Sequence, residues 1–462
     1  MLDLSGLSTI SNTGVLVSQV RVLASDGGFV DLSGLTRFEH PFQSGFSFQQ
    51  GTSSIVAEGE GSRIDASSLT EVVGEAGLNI EYAARDGGEI DAPLVSVLIG
   101  VALNLNEAAS FDSLVNGTRL AVSATGSEAS VSFPLLTTLQ DGNLSLSDGA
   151  TVSVPLLSNI AGTNISVSGG VTLALPSVDE NVVATSVSSL SATGVGSVLD
   201  LSGLSTISNT GVLVSQVRVL ASDGGFVDLS GLTRFEHPFQ SGLSFQQGTS
   251  SIVAEGAGSR IDASSLTEVV GEAGLNIEYA LRDGGEIDAP LVSDLIGVAL
   301  NLSEATSFDF GGTLSLTNAE VVLAQDAELN VVQLNIDPSS LVSGGGVING
   351  DVDNSGIVQL DSNTLQITGS FAQSDVGQLL VGISDLSSDN VFGRLVIDGA
   401  ATLDGLLVLA AAEDSVTETT ITPVTFQSVL GEFAEVQADN LLAFEIETEF
   451  LAEGVELQFV RV

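Results

Sequence analysis

The chain has 462 residues, of which 58 are acidic and 11 basic, all eleven of them Arg, for a formal net charge of −47. A field this negative repels phosphate backbones and anionic surfaces, which excludes nucleic acid as a partner; no apolar run approaches the roughly 18 residues of a membrane span, and the lack of Cys excludes disulfides and thiolate metal sites. With 43% apolar residues, 52 Gly and only 9 Pro, the chain still holds enough Leu, Val and Ile for a continuous core, so a folded chain is expected rather than disorder.

From the N-terminus, a short motif recurs: an apolar residue, Asp, an apolar or small residue, Ser or Pro, then Leu. It reads Leu2-Asp3-Leu4-Ser5-Gly6-Leu7, Val30-Asp31-Leu32-Ser33-Gly34-Leu35, Ile64-Asp65-Ala66-Ser67-Ser68-Leu69, Ile90-Asp91-Ala92-Pro93-Leu94 and Phe111-Asp112-Ser113-Leu114. The register goes on without Asp through Val131-Ser132-Phe133, Val152-Ser153-Val154 and Thr172-Leu173-Ala174. Asp-Gly and Gly-Gly corners such as Asp26-Gly27-Gly28 and Asp86-Gly87-Gly88 precede the motif, supplying the positive φ that a sharp turn needs. Apolar residues alternate with polar ones at a period of two over four to six positions, as in Val152 and Val154, so the units are short strands and not helices.

At Leu199 the sequence starts again. Leu2 to Asp112 recurs as Leu199 to Asp309 at an offset of 197 with six changes, and the eight motif steps between the copies add up to that offset. Self-similarity of this kind predicts stacked units, each burying its apolar edge against the next. The predicted fold is all-β: a right-handed parallel β-helix, or solenoid, with a C-terminal β-rich cap. Residues 1–197 form a first super-repeat of about eight rungs, 198–343 a second, truncated one, and 344–462 the final rungs and the cap. Handedness is expected from the general bias of parallel crossovers. Met1 takes the place of Val198, in the middle of a rung, which predicts a section of a longer chain whose signal peptide lies in a missing N-terminal region.

Two sets of residues are candidates for chemistry. Stacked rungs would align Asp3, Asp31, Asp65, Asp91 and Asp112, and in the second copy Asp200, Asp228, Asp262, Asp288 and Asp309, at about 4.8 Å, where like charges cost roughly 0.9 kcal/mol per pair even in water. Bound Ca²⁺ would relieve that repulsion; capping of the adjacent turn by Asp is the alternative, and the Gly-Gly-x-Gly-x-Asp nonapeptide of Ca²⁺-binding solenoids is absent. No metal is firmly predicted and no other cofactor is expected. The longest rung, Phe38-Glu39-His40-Pro41-Phe42-Gln43, and its copy hold the chain's only two His. Glu39, His40, Phe42 and Gln43, with Glu236, His237, Phe239 and Gln240, would form a glycan-binding platform or a Glu/His acid-base pair, or else a long turn whose Phe side chains fill the interior. A site repeated in two copies suits multivalent binding better than one catalytic centre.

Past Asp309 the copies diverge. Gly369-Ser370-Phe371-Ala372-Gln373 leads to Leu395-Val396-Ile397-Asp398-Gly399-Ala400-Ala401-Thr402-Leu403-Asp404-Gly405 and then Gly431-Glu432-Phe433. This resembles the C-terminal segment of bacterial secreted and cell-surface β-helix proteins of the autotransporter-passenger and haemagglutinin-like type, where G-x-[FY]-x-Q precedes L-x-V-x-G-x-A-x-L-x-G and a G-x-F. The resemblance covers roughly the last hundred residues and implies a segment that closes a solenoid. The family's membrane-embedded barrel is not apparent, since only about thirty residues follow Phe433.

The expected role is non-catalytic: an extracellular or cell-surface structural or adhesive section of an adhesin, stalk or matrix protein, facing a glycan or other surface ligand, with no membrane insertion. Edge pairing at the first rung would allow end-to-end self-association. A polysaccharide lyase or hydrolase on the same scaffold is the enzymatic alternative, disfavoured by motif Asp residues that fall one per rung and by the absence of Lys. Ice binding is a second alternative, disfavoured because Thr9, Thr36, Thr70, Thr137 and Thr138 do not keep a two-column register.

Overall fold

A computed structural model describes residues 1–13, 18–41, 51–74, 79–184, 186–211, 215–238, 248–271, 274–303, 305–386, 391–411, 418–439 and 444–461. Among these residues the chain is all-β, with no helix, and it divides into two units, Met1–Gly231 and Leu232–Val462.

In the first unit the strands recur in a cycle of three, and most pair in parallel with their equivalents one repeat further on, the motif strands in separate sheets that break after Glu89–Asp91 and after Thr151–Ser153. The motif strands Leu2–Asp3, Phe29–Asp31, Arg63–Asp65 and Glu89–Asp91 make one ladder, in the register Asp3↔Asp31↔Asp65↔Asp91. Thr9–Ser11, Arg37–His40, Glu71–Gly74, Val97–Ile99, Asn116–Thr118 and Thr138–Gln140 make a second. The third runs from Arg21–Ser25 through Ser53–Glu58, Ile80–Arg85, Val101–Leu105, Ala121–Thr125, Asn143–Ser147, Asn164–Ser168 and Val187–Thr193 to Gln216–Ser222. The period-two sequence accounts for the arrangement: in Asn164–Ser168, Ile165 and Val167 are buried while Asn164, Ser166 and Ser168 are half-exposed. Because the register is in phase, like stacks on like, as with Ile64 on Ile90 and Leu144 on Ile165. Tyr82, Phe111 and Phe133 form an interior aromatic run with centroids 5.8 and 5.1 Å apart. Each such buried side chain contributes roughly 1.5–3 kcal/mol. Parallel ladders in three-fold succession are consistent with a β-helix or solenoid.

The Asp-Gly corners are type I′ turns. Asp26 and Gly27 have φ of 52° and 71°, and Gly28 N–H donates to Ser25 O at 2.9 Å. Asp86-Gly87 and Asp148-Gly149 repeat the geometry. Two consecutive left-handed residues need Asp or Asn, then Gly, which is the order in the sequence.

The second unit begins with the same parallel ladders, including Arg260–Asp262 on Glu286–Asp288 and Ser250–Glu255 on Ile277–Arg282. Past the end of the copy the corners straighten. Glu328–Ile336 and Gly346–Asn354 are nine residues each, and the former pairs with both Ser307–Asp309 and Thr313–Thr317. The chain finishes antiparallel: Phe444–Phe450 and Gly454–Arg461 form a hairpin, and the latter also pairs antiparallel with Thr420–Thr425. Alternation of exposed Glu445, Glu447 and Glu449 with half-buried Phe444, Ile446 and Thr448 gives this hairpin a charged outer face.

Candidate functional site

The aspartate column exists, and its carboxylates cap turns. Asp31 Oδ1 accepts from Ser33 N–H at 3.0 Å, Asp65 from Ser67 at 3.1 Å, Asp200 from Ser202 at 3.0 Å, Asp228 from Ser230 at 2.9 Å and Asp262 from Ser264 at 3.0 Å. Asp3 binds both the N–H and the hydroxyl of Ser5, which hold its pKa below the usual carboxylate range. At Asp91 and Asp288 the position two residues on, where the other repeats carry the capped Ser, holds Pro93 and Pro290, which have no N–H, and a guanidinium takes its place: Arg63 on Asp91 at 3.2 Å and Arg260 on Asp288 at 3.3 Å. Among the described residues no group of three or more His, Asp or Glu is arranged to hold a metal ion.

Asp112 stands off the column. Phe111 N–H donates to Ser132 O as Leu32 N–H does to Asp65 O, and Ser110, not Asp112, pairs with Ser132. Asp112 therefore lies two residues past the position expected for it. Its copy Asp309 is in phase with Asn330 and caps Gly311 N–H at 2.7 Å. The residue that follows explains the difference. Phe310 extends the inward alternation begun by Phe308, whereas Ser113 cannot, so the first copy turns at once and buries Leu114 instead.

The structure does not bring Glu39 and His40 together. As neighbours on one strand they point to opposite sides. Glu39 faces out and pairs with Arg37 Nε at 2.6 Å; Arg37, with help from Ser11, lowers its pKa, and the same guanidinium reaches Glu71 on the next strand. His40 is inside, 1% exposed. Its Nε2 lies 3.1 Å from Asn12 Nδ2 and its Nδ1 3.3 Å from Asn79 O, while Asn79 Nδ2 donates to His40 O at 3.0 Å. An amide donor on Nε2 and a carbonyl on Nδ1 specify a neutral ring protonated at Nδ1. His40 pairs with Gly74, where a Cβ would fall 2.0 Å from Asn79 Oδ1, so the missing side chain makes room for the amide. His237 repeats this with Asn276, Nδ1 donating to Asn276 O at 3.1 Å, and burial pushes its pKa down against the pull of that carbonyl. Glu236 pairs with Arg234 at 2.6 Å as Glu39 does with Arg37. The Phe42, Gln43, Phe239 and Gln240 positions lie outside the described residues.

One surface was not anticipated. On the third ladder of the first unit the outward side chains form columns: Asn104, Ser123, Ser145, Ser166 and Ser191 in one, and Thr125, Ser147, Ser168, Thr193 and Ser222 in another. Hydroxyls bond along them, Ser166 to Ser145 at 3.1 Å and Thr193 to Ser222 at 3.0 Å. No carboxylate stands in either column of a chain with net charge −47. Columns on neighbouring i, i+2 positions form a lattice of about 4.8 by 6.6 Å, suited to hydrogen bonding with a partner that is itself repetitive. The signal in the sequence was the pair Asn143-Leu144-Ser145-Leu146-Ser147 and Asn164-Ile165-Ser166-Val167-Ser168, one repeat apart.

Ladders and columns together define an all-β repeat protein. Compared with known proteins, the chain matches no family model and no curated sequence.

Proposed function

We propose that this chain is a non-catalytic structural or adhesive section of an extracellular or cell-surface protein, of the bacterial autotransporter-passenger or haemagglutinin-like kind, folded as a right-handed parallel β-helix with a β-rich cap. One observation carries the reading: outward side chains stack into columns over consecutive repeats, so the surface is repetitive and does not converge on one point. Catalysis needs several different groups aimed at a single reacting atom. A column offers the same group many times, which favours multivalent contact with a repeating ligand such as a glycan. The rebuilt Arg37–Glu39–Glu71 arrangement at Arg234–Glu236–Glu268 supports the same reading. Binding of the full chain to a glycan array, with and without Ca²⁺, tests it. Saturable binding that weakens when residues 1–197 are removed is expected, and turnover of a polysaccharide would favour the enzymatic alternative instead.

A second reading, ice binding, gains from the Ser/Thr/Asn columns, since a flat uncharged lattice of hydroxyls is what ordered water can match. A thermal-hysteresis measurement separates the two: a freezing gap abolished by Ser145→Glu would favour ice, and no gap would leave the adhesive reading.

A further inference from the structure

In the second unit a corner of the chain is missing its side chains. Three successive corners stand above one another: Ala324-Gln325-Asp326, then Gly344-Gly345-Gly346, then Ser362-Asn363-Thr364. The central one is forced to be glycine. Gly344 and Gly346 have φ of 104° and 82°, and a Cβ there would fall 2.0 Å from Leu323 O and 2.5 Å from Ala327 O. The result is a notch one repeat deep, with a cavity of about 330 Å³ lined by Gln325, Asp326, Val347, Asn363, Thr364 and Gln366 beside Gly346 and Ser362. Its floor is backbone and its walls are two repeats, about 9.6 Å, apart.

The walls are held in place. Asn363 O accepts Arg394 N–H at 2.9 Å, which anchors the upper corner, and a Cβ on Gly345 would lie only 3.0 Å from Asn363 Cβ, so the Asn363 side chain leans over the glycine floor. Gln366 Nε2 donates to Asp398 Oδ2 at 2.7 Å, fixing the plane of that amide. Beside the notch, Asn349 donates to Asn330 at 2.7 Å and Asn330 to Ser307 at 2.9 Å, an amide column that keeps the neighbouring backbone in phase.

We propose that this notch is a binding site for a neutral saccharide, a single sugar or a short stretch of a chain laid across the corner. Three amides and two hydroxyls offer donors and acceptors at several heights, Asp326 accepts from paired hydroxyls, and the half-exposed Val347 provides an apolar patch for a ring C–H face. The volume lies at the lower end of small-ligand sites, which run from about 300 Å³. Acidic sugars are excluded: the lining has no cation, and the chain's negative field raises the cost of bringing an anion there. The lining holds one carboxylate, whereas Ca²⁺ takes six to eight oxygens and usually several charged ones. This site is separate from the hydroxyl columns of the first unit, and neither depends on the other.

The test is calorimetric titration of the full chain with galactose, cellobiose, maltose and N-acetylglucosamine, and separately with CaCl₂. Asn363→Ala and Gln325→Ala remove exposed side chains, and unchanged circular dichroism will show that both variants fold. At least one sugar is expected to bind, with affinity about tenfold weaker in each variant, the loss of one or two hydrogen bonds, and unaltered in Ser123→Ala of the first unit. The proposal is overturned if no sugar binds at millimolar concentration, if binding is indifferent to both variants, or if only Ca²⁺ binds and Asp326→Asn abolishes it.

Discussion

At the scale of single residues, the acidic column is legible in the sequence but its use is not. Asp31 caps Ser33 N–H and faces Asp3 and Asp65 on the adjoining strands. Asn keeps an acceptor oxygen in the same place and loses the charge, whereas Ala loses both. Asp31→Asn is therefore expected to leave the unfolding free energy unchanged or raise it at low salt, by up to about 2 kcal/mol for the two like-charge pairs relieved, and Asp31→Ala to be about 0.5–1.5 kcal/mol less stable than Asp31→Asn, as read by urea unfolding. A loss in Asp31→Asn that appears only with Ca²⁺ present would point to a cation held by the column. The histidines make a second residue-scale prediction. His237 is neutral and buried, with its pKa depressed by burial below the ordinary 6.5. Its contribution is thus complete above pH 6.5 and declines as pH falls from there toward the folded-state value, since the unfolded chain takes the proton first. A decline in midpoint that sets in as pH falls below about 6.5, shallower in His237→Gln, is the expected outcome. The difference between wild type and His237→Gln separates it from carboxylate protonation, which is common to both.

At the scale of elements, the repeat is modular because the register is in phase. Asn143 pairs with Asn164, and the 21 residues from 143 to 163 span one pass through the three ladders. Deleting them should place Asn164–Ser168 on Ala121–Thr125 and Thr172–Ala174 on Ser130–Ser132 with apolar faces still inward. The shortened chain is expected to unfold in one transition with the same strand signal per residue, whereas deleting residues 143–153 would point one ladder's apolar side chains outward and abolish the transition. Denaturation followed by circular dichroism checks both. The same logic accounts for what sequence reading missed. Asp112 and Asp309 occupy identical positions in the two copies, and a local motif assigns them the same place. Only the residue beyond, Ser113 in one and Phe310 in the other, decides whether burial of a ring draws the strand two residues further. The Ser/Thr/Asn columns were missed for a related reason: a column is a property of strands 19 to 29 residues apart, and each strand alone shows only alternation.

At the scale of the whole molecule, charge dominates. With 58 acidic residues against 11 Arg, several of which already bridge two carboxylates, folding concentrates like charge and salt should oppose that cost. The midpoint is expected to rise steadily from low salt to about 1 M NaCl, where the Debye length is near 3 Å. CaCl₂ at matched ionic strength should add little; a distinctly larger rise with Ca²⁺ would mean specific sites. Differential scanning calorimetry in the two salts decides between them.

The sequence by itself determined the strand pattern, the positive-φ corners, the duplication and the acidic character, because alternation, Asp-Gly pairs and composition can be read without knowing the fold. Tertiary structure decided which way each candidate side chain faces and what it meets: Glu39 outward to Arg37, His40 inward to Asn12 and Asn79, Asp112 off the column, and the glycine corner between Asp326 and Asn363 open. Those outcomes depend on the register between strands 18 to 34 residues apart, and that register is set by how the interior packs, which no single repeat records.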